Sequence, residues 1–379
     1  MIYLDNAATS FPKPQKVLEA VDYAQRNYAV NVGRGSYPLA NYAASVVEET
    51  KALLARMVNA KDTSKVIFTP SATIAANEII LGLPWDKYKT IYLSPFEHNA
   101  VARPLNRQCE LFGLQMNVLP FSSDTQEWDR EATKLLFEQN PPDYVFISQV
   151  SNVTGLVLPV IEIAQLAKEY NAVVIVDASQ SLGLLALDVQ RDLIDYLIFA
   201  GHKSLYSSWG IGGFVANNNL LTPVICGGTG SDSLNLSMGD HLSGSFEAGS
   251  PNTIAIASLN ASLKWINEVK PEAINKKKNQ LMTLLLSLLR KDSVKLYLPS
   301  SLSNHTSILS LNVADYEPSE VGVILANDFN IAVRTGYHCA PFVHDLIGTR
   351  DRLGTVRISL GFFNTEDDII SVANALNDL

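Results

Sequence analysis

Apolar and polar positions follow two alternating rhythms over the first two-thirds of the chain. Short runs rich in β-branched and aromatic residues, such as Val66-Ile67-Phe68-Thr69 and Val173-Val174-Ile175-Val176, predict strands over 65–69, 90–93, 144–148, 173–176, 196–199 and 213–215. Between them the apolar positions recur at helical spacing, which predicts helices over 73–83, 99–112, 130–139 and 161–170. Strands alternating with helices predict an α/β domain with a mainly parallel sheet. Ligands in such folds bind beyond the carboxyl ends of the strands.

The rhythm changes after residue 252. A helix-rich stretch runs over 252–290, followed by strand 305–313, helix 318–328, strands 331–334 and 355–360, and helix 366–377. This reads as a smaller α+β domain. No internal repeat and no low-complexity linker separates the two parts.

Composition sharpens this picture. With 379 residues, 47% of them apolar and 18% charged, the chain can bury a large core, and two domains are expected rather than one. A net charge of −9 argues against a nucleic-acid or anionic-membrane partner. The one basic run, Lys276-Lys277-Lys278, reads as a solvated helix turn. The longest greasy run, 281–289, is interrupted by Thr283 and Ser287 and is too short to cross a bilayer. Asp5 and Asn6 come at once after the start, so a cytoplasmic protein is expected.

The three cysteines, Cys109, Cys226 and Cys339, are odd in number, and no two are spaced for a metal or redox site. Cys109 falls in a helical stretch and reads as packing.

Two residues carry the strongest chemical suggestion. Asp177 ends an apolar strand, and Lys203 follows the next strand in Gly201-His202-Lys203. Pyridoxal 5'-phosphate chemistry needs a lysine to join its aldehyde and an acid to protonate its ring nitrogen. Asn152 also follows a strand, so all three could converge on one crevice. Pro70-Ser71-Ala72-Thr73 starts a helix, where a cap is expected and a phosphate would be welcome. Gly227-Gly228-Thr229-Gly230-Ser231 could make a second anion-binding turn, and it lacks the lysine of a P-loop.

Taken in order, Tyr3-Leu4-Asp5-Asn6-Ala7-Ala8-Thr9, Asn31-Val32-Gly33-Arg34-Gly35, Phe68-Thr69-Pro70-Ser71-Ala72-Thr73, Glu97-His98-Asn99-Ala100 and Ser151-Asn152-Val153-Thr154-Gly155 form one pattern. It continues through Val176-Asp177-Ala178-Ser179-Gln180, Gly201-His202-Lys203, Phe246-Glu247-Ala248-Gly249-Ser250-Pro251-Asn252, Arg334-Thr335-Gly336-Tyr337-His338-Cys339-Ala340 and Arg357-Ile358-Ser359-Leu360. The pattern resembles the class V aminotransferase-like pyridoxal-phosphate enzymes and, within them, the group II cysteine desulfurases, over almost the whole chain.

The resemblance implies an aspartate aminotransferase-like (fold type I) large domain at 16–260 and a small α+β domain built from 1–15 and 261–379. It implies that Lys203 joins the cofactor, that Asp177 partners the pyridine nitrogen, and that Gln180 and Asn152 lie near the phenolic oxygen. His98 would stack on the ring and shuttle protons. Ala72, Thr73, His202 and Ser250 would surround the phosphate, the last from a second subunit of a homodimer. Arg357, Arg334, Asn152 and Ala8 would hold the substrate, with Arg357 clamping its carboxylate. Cys339 stands at the nucleophile position, where basic neighbours such as His338 and Arg334 would favour a thiolate.

The implied reaction converts L-cysteine to L-alanine and leaves a persulfide on Cys339 for a sulfur-acceptor protein. The sulfur's destination, whether iron–sulfur clusters, modified RNA or a cofactor, stays open. L-selenocysteine or cystine as substrate, another class V reaction, and a low-turnover scaffold in a sulfur-assembly complex are the alternatives. Ala200, where relatives carry Ser or Thr, implies one phosphate contact fewer.

Overall fold

The structure is a computed structural model. It describes all residues except 33–34, 230–233, 239–241 and 291–292. Gly33, Arg34, Gly230 and Ser231, which belong to two of the quoted motifs, lie outside the described residues.

A seven-stranded sheet forms the centre of the larger part. Its strands run in the order Val66–Thr69, Gly212–Ala216, Tyr196–Ala200, Val173–Asp177, Tyr144–Ser148, Ile91–Leu93 and Met116–Val118. Strand Gly212–Ala216 is antiparallel to both neighbours, and all the remaining pairs are parallel. Five consecutive buried positions in Tyr144–Ser148 and in Tyr196–Ala200 show why these strands carry no polar face: helices cover both sides. One apolar cluster, around Val174, Val176 and Leu197, fills one face, and another, around Ile175, Ile198 and Phe214, fills the other.

The C-terminal part has a four-stranded antiparallel sheet ordered Arg334–Gly336, Thr355–Ser359, Ile308–Val313 and Val294–Tyr297. The N-terminal strand Ile2–Tyr3 pairs in parallel with Ile331–Ala332. Leu4, Leu309, Leu311, Ile358 and Val372 meet in a separate core there.

Several expectations need correction. The strand expected over 305–313 starts at Ile308, because His305 turns its ring nitrogen onto the Ile308 carbonyl. The strand expected over 331–334 is split into Ile331–Ala332 and Arg334–Gly336, which join two different sheets. The run Lys276-Lys277-Lys278 is not a solvated turn throughout. Lys278 falls in register with Ile274, Leu281 and Leu285 on the buried face of helix Pro271–Leu288, and it is 9% exposed.

Two glycines let backbones approach near the strand ends. A Cβ on Gly212 would lie 2.7 Å from the Ala72 amide nitrogen, so only a bare strand lets helix Ala72–Gly82 start this close. Gly155 has φ +73°, and a Cβ there would lie 2.3 Å from the Ile308 carbonyl oxygen. It closes the turn that carries Asn152.

Candidate active site

The parallel strands end side by side, and their carboxyl ends deliver the candidate residues. Asp177 closes strand Val173–Asp177, and in the sheet register it lies opposite Ile198 of the strand that leads to Lys203. The Ser179 amide donates to Asp177 Oδ1 at 2.8 Å. Oδ2 takes no hydrogen bond from the described residues.

His98 follows the strand Ile91–Leu93 and caps helix Asn99–Phe112. Its Nδ1 accepts the Ala100 amide at 3.0 Å, so Nε2 carries the hydrogen. Burial and the Lys203 charge lower its pKa to about 4, against the pull of Asp177, so the imidazole is neutral. Beneath it, Glu97 is 1% exposed and accepts hydrogen bonds from Ser94 Oγ (2.6 Å) and Ser148 Oγ (3.0 Å). Burial raises its pKa to about 7.

Burial also lowers the pKa of Lys203, as do the charges of Arg357 and Arg334, while Asp177 and Cys339 oppose the shift. The peptide just before Lys203 is clamped from behind. The His202 carbonyl accepts hydrogen bonds from the Ser10 amide (3.0 Å), Thr9 Oγ1 (3.0 Å), Lys13 Nζ (2.9 Å) and Ser10 Oγ (3.3 Å). The His202 ring stacks on Trp209 at 4.0 Å between centroids, and its Nδ1 is buried without a partner.

Cys339 arrives from the other side, in the loop between strand Arg334–Gly336 and helix Pro341–Leu346. Two hydrogen bonds dock this loop on the strand ends. The Asn99 amide donates to the Cys339 carbonyl at 2.7 Å, and Asn152 Nδ2 donates to the His338 carbonyl at 2.7 Å. His338 and Cys339 both have positive φ, 48° and 56°, which folds the loop tightly. Arg334 places a guanidinium nitrogen 4.0 Å from Cys339 Sγ.

His338 does not act as the basic neighbour expected from the sequence. It is 4% exposed, its Nε2 donates to the Thr355 carbonyl at 3.1 Å, and burial holds it well below the usual imidazole range. Arg334 is therefore the cation in contact with the sulfur, and the Lys203 and Arg357 charges also interact with it.

Arg357 lies directly opposite Arg334 on the adjacent strand. It is 2% exposed and donates to Asp5 Oδ1 at 2.6 Å and to the Asn152 carbonyl at 3.0 Å. Its Nε and the Asn152 Oδ1 are buried without partners, a donor and an acceptor left unused on two residues that touch.

The remaining candidates divide. Ser71, rather than Thr73, caps helix Ala72–Gly82, accepting the Ile74 amide at 3.3 Å, and Thr73 is left exposed at the first turn. Gln180 Nε2 donates to the Ala7 carbonyl at 2.8 Å, next to Ala8. Ser250 is exposed, accepts from Asn31 at 3.0 Å, and shares no hydrogen bond with the other candidates. Cys109 is buried in the core, as expected. Sequence reasoning gave no role to Asp5, Glu97 or Lys13. Asp5 and Glu97 stand within quoted motifs and Lys13 four residues beyond one, but only contacts across the fold reveal their partners.

Comparison with known proteins gives the family. The aminotransferase class-V family model matches residues 2–372. A probable cysteine desulfurase of Pyrococcus abyssi is 31% identical, the match covering 100% of this chain and 94% of that protein. A cysteine desulfurase of Pectobacterium carotovorum is 30% identical over 97% of this chain and 90% of its own. The apo structure of the cysteine desulfurase from Thermococcus onnurineus superimposes with a TM-score of 0.91 at 29% identity, covering 100% of this chain and 94% of that one. That family is generally pyridoxal-phosphate-dependent, and the free groups found here suit such a cofactor: an acid oxygen at Asp177, a buried ring nitrogen at His202 and a lysine whose pKa burial lowers. On full-length likeness, in sequence and in fold, the chain belongs to the class V aminotransferase family and, within it, to the cysteine desulfurases.

Proposed function

We propose that this protein takes sulfur from L-cysteine, releases L-alanine, and holds the sulfur as a persulfide on Cys339. The observation that carries the reading is the docking of Cys339 beside His98. Its carbonyl is tied to the Asn99 amide at 2.7 Å, and Arg334 stands 4.0 Å from its sulfur.

Pyridoxal 5'-phosphate, when bound, supplies an electron sink for the carbanion formed at the substrate Cα. Lys203 holds the cofactor aldehyde and carries the Cα proton, a task suited to an amine whose pKa burial has lowered. Asp177 keeps the ring nitrogen protonated through its free oxygen. His98, neutral, would face the cofactor ring and could shuttle protons there. Ala72, Thr73 and His202 hold the phosphate at the helix start, with Ser250 reaching the same group of a partner subunit. Gln180 and Asn152 hold the phenolic oxygen. Arg357, fixed by Asp5, clamps the substrate carboxylate with Arg334, Asn152 and Ala8 around it. The Cys339 thiolate attacks the substrate sulfur: the S–S bond forms as the Cβ–S bond breaks, the electron pair passes to the carbon side, and protonation there gives alanine.

Residues 16–260 act as the cofactor-holding part, and 1–15 with 261–379 carry the cysteine loop. A homodimer fits the exposed apolar residues Tyr37, Leu39, Tyr42, Val224 and Ile225. Cys339 is only partly buried, which suits delivery of its sulfur to an acceptor protein. No helix among the described residues is long and apolar enough to cross a membrane, which fits work in the cytoplasm.

The test is Cys339→Ala in the cofactor-loaded protein, with alanine and sulfide assayed together from cysteine and a thiol reductant. Both products are expected to fall at least ~1000-fold, by the scale of a lost covalent nucleophile. Alanine release at the wild-type rate would exclude the reading.

A further inference from the structure

Lys278 is a buried cation that the reaction does not use. It projects from the apolar face of helix Pro271–Leu288 and forms no hydrogen bond or ion pair with any described residue. Its neighbours Ile274 and Leu281 are buried and apolar. A buried ammonium with no partner is costly, and in folded proteins such groups are paired.

Lys278 lines a small cavity behind Lys203, with Tyr206, Ser359 and Asn6. Lys203 and Gln180, both assigned to the cofactor, line it as well, while Asp177, His98 and Asn152 do not, so it adjoins the crevice between the strand ends. Its thirteen lining residues include no acid, and with Lys203 committed to the cofactor Lys278 is the one remaining cation among them, so it is electropositive. Most lining hydrogen-bond donors are already engaged: Ser359 Oγ donates to the Leu4 carbonyl, and Thr306 Oγ1 to the Gly155 carbonyl. Tyr206 differs. Its oxygen accepts the Phe362 amide at 2.9 Å, which leaves its hydroxyl hydrogen free to donate. The space suits about one or two water-sized particles, too little for an organic acid.

We propose that Lys278 and Tyr206 hold a small monovalent anion of halide size in this cavity. The anion supplies the counter-charge that the fold does not. Burial lowers the Lys278 pKa only to about 8, so the ammonium still needs a counter-charge at neutral pH.

The test needs no turnover, so it can fail independently of the desulfurase reading. Crystals of the cofactor-loaded protein soaked in sodium bromide are expected to show an anomalous peak between Lys278 Nζ and the Tyr206 hydroxyl. Melting curves in sodium bromide and in sodium gluconate at equal ionic strength are expected to differ for the wild type, with the bromide stabilisation saturating as a single site. Lys278→Met, which replaces the cation by an apolar chain of similar length, is expected to fold and lose the bromide-specific shift. Tyr206→Phe is expected to raise the half-saturating bromide about fivefold, the scale of one hydrogen bond. Water density without an anomalous peak would overturn the proposal. So would an unchanged bromide shift in Lys278→Met, or a crystal peak with no bromide-specific shift in solution, which would mean binding at crystal concentration only.

Discussion

Arg357 and Asp5 form an ion pair 2.6 Å long, although 352 residues separate them in the chain. Arg357 is 2% exposed, and its guanidinium is shared between Asp5 and the Asn152 carbonyl. The acid of the N-terminal segment therefore holds the side chain assigned to the substrate carboxylate.

Removing that acid leaves an uncompensated buried cation. Asp5→Asn is expected to destabilise the protein by about 3 kcal/mol, the scale of breaking a buried pair. The urea midpoint of unfolding measures this. A midpoint equal to that of the wild type would show that Arg357 needs no counter-ion.

Asn152 ties the cysteine loop to the sheet through the His338 carbonyl at 2.7 Å. Asn152→Ala is expected to cost about 1 kcal/mol of stability, and to free the loop to move. Alkylation of Cys339 by iodoacetamide should then speed up several-fold, read by mass spectrometry. An unchanged labelling rate would place the loop's support elsewhere.

The histidines set an acid limit. All five described histidines have lowered pKa values, His98 to about 4 and His202 to about 3, chiefly through burial. An unfolded histidine titrates near ~6.5. Below that pH the unfolded chain binds protons that the folded chain refuses, so stability falls from about pH 6.5 down through the folded values. Glu78 and Glu97 act in the opposite direction, because both are raised to about 7 by burial and lose their contribution as pH rises through that value. With five histidines against two carboxyls, the net expectation is a urea midpoint lower at pH 5 than at pH 7. A midpoint that rose toward pH 5 would contradict it.

Gly212 is expected to tolerate no side chain. In Gly212→Ala the new methyl meets the backbone at Ser71 and Ala72, 2.8 and 2.7 Å away, where no flexible side chain can yield. A loss of about 2 kcal/mol or more is expected, by analogy with overpacking in a rigid interior. Cofactor absorbance should weaken with it, because the helix start assigned to the phosphate is displaced. Wild-type stability would mean that the helix can shift away without cost.

Much of this was legible along the chain. The apolar runs at Tyr144–Ser148 and Val173–Asp177 announced strands whose every position needed cover, and those strands formed within a residue of their expected limits. Asp177 and Lys203 could be placed near one another because parallel neighbouring strands put their carboxyl ends together. Lys278 shows where that reasoning stopped. A run of three lysines looks solvated, yet helical geometry turns the third onto the same face as Ile274 and Leu281. His338 is similar: its neighbour Cys339 lies in the crevice, while its own ring turns back to Thr355.

The sequence alone determined the rhythm of strands and helices and the family to which the ordered motifs belong, because these depend on residue type and spacing. Only the tertiary structure decided which groups pair: Asp5 with Arg357, Asn99 with the Cys339 carbonyl, and four donors from 9–13 with the His202 carbonyl. Such contacts join segments far apart in the chain, and directional hydrogen bonds and buried charges have no signature in local periodicity.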